Sequence, residues 1–243
     1  QIPDYNIDEP KGIYLKDKQI DKIIKIKRLR CFFVYGQMRT GKTVIATTIA
    51  ESRHNAGLIN KIVVIAPLRT KKVWQSHITN PFHFIATEHF SNIHTRDGLS
   101  FECDNETMVI LDESHQIKNV GVIRVENIIR LTKDAGHKCI LTGTPIGKHA
   151  GDLYYQFQFL DPAILNYNSY SDFSDAHLLY GGREGKTVVA YSNIEEISKR
   201  ISPYTATMSR SEMGIDREKI YEIEPYQITN REKYNELKEK YKK

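Results

Sequence analysis

A glycine-containing segment, residues 36–43, has the residue types and spacing of a loop that wraps around phosphate groups. Gly36 and Gly41 permit the tight backbone path that turns successive N–H groups towards an anion, and Lys42 can reach the outer phosphates. The hydroxyl of Thr43 can bind magnesium. An ordinary turn between strand and helix is the alternative, but a β-prone run precedes the segment and an apolar helical run follows it. The predicted nucleoside triphosphate site comprises Gly36, Gln37, Met38, Arg39, Thr40, Gly41, Lys42 and Thr43.

Two adjacent acids, Asp112 and Glu113, follow the apolar run at residues 108–111. If that run is a strand, both acids lie at the carboxyl edge of the sheet, where the phosphate loop also emerges. Asp112 can then hold a magnesium ion, usually through water, and Glu113 can polarise the water that attacks the γ-phosphorus. An isolated Asp-Glu pair is more often a helix N-terminus, because acids favour that end of the helix dipole. Its position after the phosphate loop favours a shared catalytic site.

A third cluster, Leu141-Thr142-Gly143-Thr144-Pro145, follows the next apolar run. In isolation it would be interpreted as a turn with helix-capping threonines. Its order after the phosphate loop and the acid pair favours a role in the same site.

Four short runs are almost wholly apolar, as expected for strands covered on both faces of a sheet. They are residues 32–35, 62–66, 108–111 and 139–141. Helix-like stretches lie before and between the runs, at residues 20–29, 44–56, 71–78 and 123–131. This alternation predicts an α/β fold with a doubly wound, mainly parallel sheet.

The character of the sequence changes after this predicted lobe, which spans residues 1–151. Residues 152–222 are predicted to form a small accessory helical and hairpin segment packed on the lobe, with a glycine-rich turn at residues 181–186. Near the end, residues 230–243 form a charged helix with oppositely charged side chains at supportive spacing.

The composition narrows the class of protein. The 243 residues are 40% hydrophobic, which is enough for a real core, and 35 basic against 30 acidic residues give a formal charge of +5. The three cysteines form no C-x-x-C pair, so a reducing cytoplasm fits best and no zinc module is indicated. No uninterrupted apolar run approaches the roughly 20 residues that span a bilayer. We therefore expect a cytoplasmic monomer without a membrane partner.

Together the three clusters resemble motifs I, II and III of superfamily 2 helicases, and their surroundings resemble the Snf-type, or Swi/Snf-like, branch. Residues 112–119, Asp-Glu-Ser-His-Gln-Ile-Lys-Asn, are close to the D-E-A-H-R-I-K-N of that branch, with Ser114 in place of alanine. Three further segments also resemble sequences of that branch. They are Ala66-Pro67-Leu68 with Trp74 downstream, residues 159–162, and residues 201–204 leading to Arg210. Met38-Arg39-Thr40 in the phosphate loop is nearer to phage and bacterial relatives. A phage-encoded chain would act in the host cytoplasm, near the nucleoid.

The resemblance implies a RecA-like lobe that binds ATP with Mg²⁺. Gln19 looks like the glutamine that recognises adenine, and a polar residue on the first amphipathic helix is the alternative. His115, Thr142 and Thr144 resemble the elements that connect the hydrolytic centre with the nucleic-acid face. The implied catalytic residues are Lys42, Asp112 and Glu113, and the implied metal ligands are Thr43 and Asp112.

DNA, expected to be double-stranded, is the implied partner. Residues 67–72 match motif Ia, in which backbone N–H groups, hydroxyls and basic side chains hold phosphates, and we select Arg69, Thr70 and Lys71. Residues 87–90 occupy the position of motif Ib in the family. A solvated loop between strand and helix, without contact to nucleic acid, explains them equally well. The tyrosines at positions 167, 170 and 180 could stack on bases, although packing of the accessory segment is commoner.

The family also implies a second, similar lobe that supplies arginine fingers, and residues 223–243 resemble a linker helix towards it. No second set of motifs is present in the sequence. The predicted function is therefore the first motor lobe of a DNA-stimulated ATPase that translocates on double-stranded DNA, with weak hydrolysis by the lobe alone. A strand-separating helicase or restriction-enzyme motor, and a nucleotide-dependent nucleic-acid-binding module without motor activity, remain alternatives.

Overall fold

A computed structural model describes residues 1–9, 12–91, 102–117, 122–147, 150–182, 185, 187–215 and 231–240. The interpretations of Lys118 and Asn119, and of the turn residues 183, 184 and 186, lie outside these ranges, as do residues 223–230 and 241–243 of the linker.

The strands are β1 (Cys31–Gly36), β2 (Lys61–Ala66), β3 (Phe82–Ala86), β4 (Thr107–Asp112), β5 (His137–Thr142), β6 (Leu178–Gly181), β7 (Thr187–Tyr191) and β8 (Thr205–Met208). The helices are α1 (Asp17–Ile26), α2 (Lys42–Asn55), α3 (Lys71–His77), α4 (Ile123–Leu131), α5 (Asp152–Leu160), α6 (Pro162–Leu165), α7 (Tyr170–His177), α8 (Ile194–Ile201) and α9 (Arg231–Lys240).

The central sheet is six-stranded with the order β3-β2-β4-β5-β1-β8, and every neighbouring pair is parallel. The α/β prediction with a mainly parallel, doubly wound sheet is confirmed. The order of the strands matters for function, because β4, β5 and β1 are adjacent. The three sequence clusters follow these three strands, so their loops leave the same edge of the sheet side by side.

Two buried layers explain the apolar strands. Phe33, Val63 and Val109 pack on one face of the sheet in a core that includes Phe157 of α5. The next residues along the same strands, such as Val34 and Val64, point to the opposite face of the sheet. There they pack against α1, α2 and α3. Since side chains alternate between faces along a strand, a strand covered on both sides has to be apolar throughout.

The edge strands β3 and β8 are additions to the four predicted strands. β8 pairs with β1 from Phe33 opposite Thr205 to Gly36 opposite Met208. Thus part of the segment predicted as accessory contributes a strand to the main sheet. The division at residue 152 itself stays a prediction.

Outside the main sheet, β6 and β7 form an antiparallel pair, which confirms the predicted hairpin. The aromatic side chains beside it pack mainly on each other. Tyr167 meets Phe173 edge to face at 5.5 Å, and Tyr154 meets Tyr170 at 5.5 Å. In the part of the chain that the structure describes, no helix has the length and apolar character needed to cross a bilayer.

Candidate active site

The phosphate loop connects the end of β1 with the start of α2. Gly41 is the N-cap residue of α2 and has φ 90°, a left-handed conformation that glycine adopts without steric cost. A side chain at Gly36 would also collide, because its Cβ would lie 2.6 Å from the Thr40 hydroxyl. The two glycines are therefore required by the path of the loop, as the sequence predicts.

The phosphate loop contains several groups suited to binding an anion. Over the described residues, the backbone N–H groups of Met38, Arg39 and Gly41 have no hydrogen-bond partner, and neither has the Thr43 hydroxyl. The start of α2 adds the positive end of a helix dipole. These donors fit a phosphate chain, and a hydroxyl beside it fits a divalent cation.

Lys42 links the phosphate loop to the acid pair. Its ammonium group donates to the carbonyl of Gly36 at 2.8 Å, and burial lowers its pKa. The negative charges of Glu113 and Asp112 oppose this shift, so both carboxylates act on the ammonium through space. The structure thus brings the loop after β1 and the acids after β4 together, as predicted from the sequence.

Asp112 is a buried carboxylate with two protein donors. Its Oδ2 accepts from the indole N–H of Trp74 at 3.1 Å, and its Oδ1 accepts from the backbone N–H of Glu113 at 2.9 Å. Burial raises the pKa of Asp112, while the Trp74 hydrogen bond lowers it. Sequence patterns alone assign no role to Trp74. Its position downstream of Ala66-Pro67-Leu68, within the family resemblance, is the feature of the sequence that could have indicated one.

Glu113 is half-buried and has φ 51°, a left-handed backbone conformation. Its Oε2 is 3.2 Å from Nδ1 of His115, and this contact lowers the pKa of Glu113. The same ring nitrogen is 3.0 Å from the Thr142 hydroxyl, which also accepts from the N–H of Thr144 at 3.1 Å. Glu113 is therefore connected with the three predicted coupling residues, His115, Thr142 and Thr144.

Gln19 lies against the phosphate loop. Its Oε1 accepts from the backbone N–H of Lys16 at 3.0 Å, and its Nε2 donates to the carbonyl of Thr40 at 3.3 Å. The helix that carries it begins at Asp17, earlier than the predicted residue 20. Both ends of the amide are thus tied, which fixes the side chain beside the loop. Its role towards adenine remains a prediction.

The motif Ia residues follow the carboxyl end of β2. Arg69 and Lys71 are exposed and Thr70 is half-buried, with its hydroxyl donating to the carbonyl of Pro67 at 2.8 Å. Trp74 lies one turn further along α3 and points into the protein towards Asp112. Helix α3 therefore presents Lys71 to solvent and contacts the Asp112 carboxylate through Trp74 on its buried side. Contact with nucleic acid stays a prediction.

Another contact joins the phosphate loop to the segment after β8. Gln37 donates its backbone N–H to the carbonyl of Met208 at 3.2 Å, and its side-chain Oε1 accepts from the N–H of Arg210 at 2.9 Å. Met208 and Arg210 thus support the phosphate loop from the edge of the sheet.

Comparison with known proteins gives the family. The model of the SNF2-related domain matches residues 84–213, which is more than half of the chain. The chain belongs to the SNF2-related domain family. The predicted resemblance to an Snf-type ATPase lobe of helicase superfamily 2 is confirmed, while a phage or bacterial type stays a prediction.

Relatives and solved structures agree with this assignment. A rice (Oryza sativa subsp. japonica) SNF2 domain-containing protein, ENL1, is 26% identical over 124 residues, 48% of this chain and 12% of that protein. Chromodomain-helicase-DNA-binding protein 8 of Danio rerio is 22% identical over 163 residues, 52% of this chain and 6% of that protein. The Sulfolobus solfataricus SWI2/SNF2 ATPase core in complex with dsDNA superposes with a TM-score of 0.66 at 19% identity, covering 88% of this chain and 48% of that one.

The matched relatives are much longer than this chain, which spans about an eighth or less of those two proteins. At 19% identity, the structural match shows a shared fold. Membership of the SNF2-related family implies ATP with a divalent metal as the ligands of the site. The free N–H groups of the loop, Lys42 and the paired carboxylates of Asp112 and Glu113 fit these ligands.

Proposed function

We propose that this chain is the first motor lobe of a DNA-stimulated ATPase that translocates on double-stranded DNA and hydrolyses ATP to ADP and phosphate. The observation that carries the proposal is the convergence of Lys42, Asp112 and Glu113 at the carboxyl edge of one sheet. A phosphate-binding loop, a metal-binding carboxylate and a second carboxylate are the parts that phosphoryl transfer to water requires.

The residues divide the work according to their surroundings. The loop N–H groups and Lys42 bind the phosphates, and Thr43 and Asp112 hold Mg²⁺, which neutralises charge on the phosphates when bound. Glu113, kept ionised by the contact with His115, orients the attacking water and accepts its proton. Gln19 selects adenine from its fixed position beside the loop.

Bound nucleic acid would affect ATP hydrolysis through two sets of contacts, both at the carboxyl edge of the main sheet. Arg69, Thr70 and Lys71 hold DNA phosphates at the start of α3, and Trp74 on the same helix contacts Asp112. His115 connects Glu113 with Thr142 and the loop after β5. DNA bound at α3 can therefore alter the metal-binding carboxylate, which supports stimulation of hydrolysis by DNA. One structural neighbour, the Sulfolobus solfataricus SWI2/SNF2 ATPase core, is in complex with dsDNA, which supports a double-stranded partner.

A second RecA-like lobe of the same parent chain would close on ATP and supply the arginine fingers, which are worth about 10³ to 10⁵ in rate in related enzymes. We place the parent protein in the cytoplasm as a monomer. Residues 1–243 alone should then bind ATP and hydrolyse it only weakly.

The test uses two substitutions in the full-length protein. Lys42→Ala should abolish nucleotide binding, whereas Glu113→Gln should retain binding and lower DNA-stimulated hydrolysis by at least about 100-fold, since it removes the acceptor of the water proton. Steady-state ATPase assays with and without duplex DNA, together with nucleotide-binding titrations, measure both effects. Glu106→Gln, exposed just before β4 at its opposite end, is the matched control and should behave as wild type.

Retention of DNA-stimulated hydrolysis in both variants would show that these roles are wrong. Displacement of a triplex-forming strand without duplex unwinding is expected for a translocase. Unwinding of the duplex would instead support a strand-separating helicase, and nucleotide-dependent DNA binding without any hydrolysis would support a non-motor module.

A further inference from the structure

Gln156 is a wholly buried polar residue that connects two of the active-site loops from behind. It lies on α5, and its Oε1 accepts from the hydroxyl of Ser114 at 2.7 Å. Its Nε2 donates to the carbonyls of Pro145 and Asp152, both at 2.8 Å. Ser114 directly follows the acid pair, and Pro145 ends the Thr142–Gly143–Thr144–Pro145 loop.

The amide can take only one orientation. Both hydrogens of Nε2 have carbonyl acceptors, and Oε1 has a hydroxyl donor, so a flipped amide would place its oxygen against two carbonyl oxygens. Ser114 is itself wholly buried, and its hydroxyl is held by this single bond. An alanine at position 114, as in the sequence pattern that the chain resembles, would have no such bond. The connection is therefore a property of this chain's own residues.

The loop that receives this bond is held by α5 at a second point. Asp152, in the first turn of α5, accepts from the backbone N–H of Gly147 at 2.6 Å, and it is buried. Thus α5 fixes the loop after β5 at Pro145 and at Gly147, while Gln156 also accepts a hydrogen bond from Ser114. Movement of Ser114 relative to Pro145 would break a buried hydrogen bond.

The contact between His115 and Thr142 joins the same two loops on a partly buried side. Gln156 joins them on the fully buried side. The geometry points to Gln156 as a positioning residue that fixes the spacing between the Asp112–Glu113 turn and the loop after β5, so that Glu113 is held in line for hydrolysis. This inference rests on the proposed ATPase function and adds a residue to it.

The test compares kcat with KM in the full-length protein. Gln156→Leu and Ser114→Ala should each lower the kcat of DNA-stimulated ATP hydrolysis, Gln156→Leu by roughly 10-fold, and leave the KM for ATP unchanged, because the phosphate loop is untouched. Gln156→Glu should recover part of the rate. A protonated carboxyl in this buried site can accept from Ser114 and donate to one carbonyl. The combined Ser114→Ala, Gln156→Leu variant should lose less than the product of the single losses, since both act through one bond.

Gln158→Leu is the matched control. It changes the same residue type on the same helix, and the Nε2 of Gln158 has no hydrogen-bond partner among the described residues. This variant should keep the wild-type kcat. All rates are measured well below the melting temperature of each variant, so that a loss of stability alone does not change kcat.

A wild-type kcat in Gln156→Leu, with only a lower melting temperature, would overturn the positioning role and leave the proposed function intact. Equal losses in Gln156→Leu and Gln158→Leu would overturn it as well. Absence of DNA-stimulated hydrolysis in the wild type itself would overturn the proposed function and this inference with it.

Discussion

At the scale of single residues, Trp74 and Asp112 form the contact that sequence patterns could not assign. A carboxylate in a buried position resists ionisation, and burial raises the pKa of Asp112. The indole N–H of Trp74 donates to its Oδ2 at 3.1 Å and favours the charged form that a metal ion needs. In the proposed function, Trp74 would thus keep this buried carboxylate ionised for Mg²⁺.

Trp74→Phe should therefore weaken Mg²⁺ binding. A hydrogen bond to a charged group contributes about 1.5–3 kcal/mol, and a proton competes with Mg²⁺ for Asp112, so we expect the half-saturating Mg²⁺ concentration to rise by about 10-fold or more at pH values where Asp112 is protonated. The same contact determines how Mg²⁺ binding by this variant depends on pH. The Trp74 bond lowers the pKa of Asp112, so its removal raises that pKa, and Mg²⁺ binding is lost at a higher pH than in the wild type as the solution is acidified.

Titration of ATPase activity with Mg²⁺ at several pH values measures this shift, and binding of metal-free ATP should stay unchanged because Lys42 and the loop are intact. A variant that loses thermal stability but keeps the wild-type Mg²⁺ requirement at every pH would show that Trp74 is only a packing residue.

At the scale of elements, the sequence predicts the strands that are covered on both faces and fails at the edges. β1, β2, β4 and β5 each contain a continuous apolar run, because both faces of these strands are buried. β3 contains the exposed His83, and β8 has Thr205 and Thr207, so neither gives a continuous apolar signal. Edge strands bury less of their surface, which explains both omissions.

The site shows a similar division. Phosphate-loop and acid residues could be predicted, since their chemistry depends on local sequence at the end of a strand. Trp74 and Gln156 could not, because their partners Asp112, Ser114 and Pro145 are distant along the chain. Hydrogen bonds between separate elements depend on the register and packing of the whole sheet.

Helix α2 offers a matched pair of glycines for a test at this scale. Gly41 at its N-terminus has φ +90°, and an added Cβ would lie 2.2 Å from Nε2 of Gln19. Gly57, just past its C-terminus, has φ +68° with nothing within 4 Å of such a Cβ. Both substitutions by alanine strain the backbone by about 1 kcal/mol or more, but only Gly41→Ala displaces a side chain of the site.

We therefore expect Gly41→Ala to weaken ATP binding strongly and Gly57→Ala to leave it near the wild-type value, with both variants somewhat less stable than the wild type. Calorimetric titration with ATP and urea unfolding separate the two effects. Equal loss of ATP affinity in the two variants would show that stability, and not the fit of the loop against Gln19, controls binding.

At the scale of the whole molecule, the carboxyl ends and the amino ends of the parallel strands have different roles. The carboxyl edge carries the candidate site, and the amino edge is fixed by Arg53, whose side chain is wholly buried. Its guanidinium donates to the carbonyls of Lys27 and Leu29 and to the Tyr5 hydroxyl, and it is 3.1 Å from Nδ1 of His137 at the start of β5. The contact with an N–H donor requires His137 to be neutral, with Nδ1 as the acceptor.

Acid should therefore destabilise this edge. Burial, together with the positive charges of Arg53 and Arg30, lowers the pKa of His137 from 6.5 to about 4. Between these two pH values the unfolded chain binds a proton that the folded chain does not. The free energy of unfolding thus falls as the pH is lowered through this window, and the contribution of His137 is fully present above it.

His137→Asn removes the titrating group while its amide oxygen can still accept from Arg53. We expect the free energy of unfolding of this variant, measured by urea denaturation at pH values between about 7 and about 4, to depend less steeply on pH than that of the wild type, by up to one proton. His83→Asn changes an exposed histidine on β3 and should keep the wild-type slope. If His137→Asn and the wild type lose stability in parallel over this range, His137 is protonated as readily in the folded protein as in the unfolded chain, and the buried Arg53 contact does not hold the amino edge in the way the structure indicates.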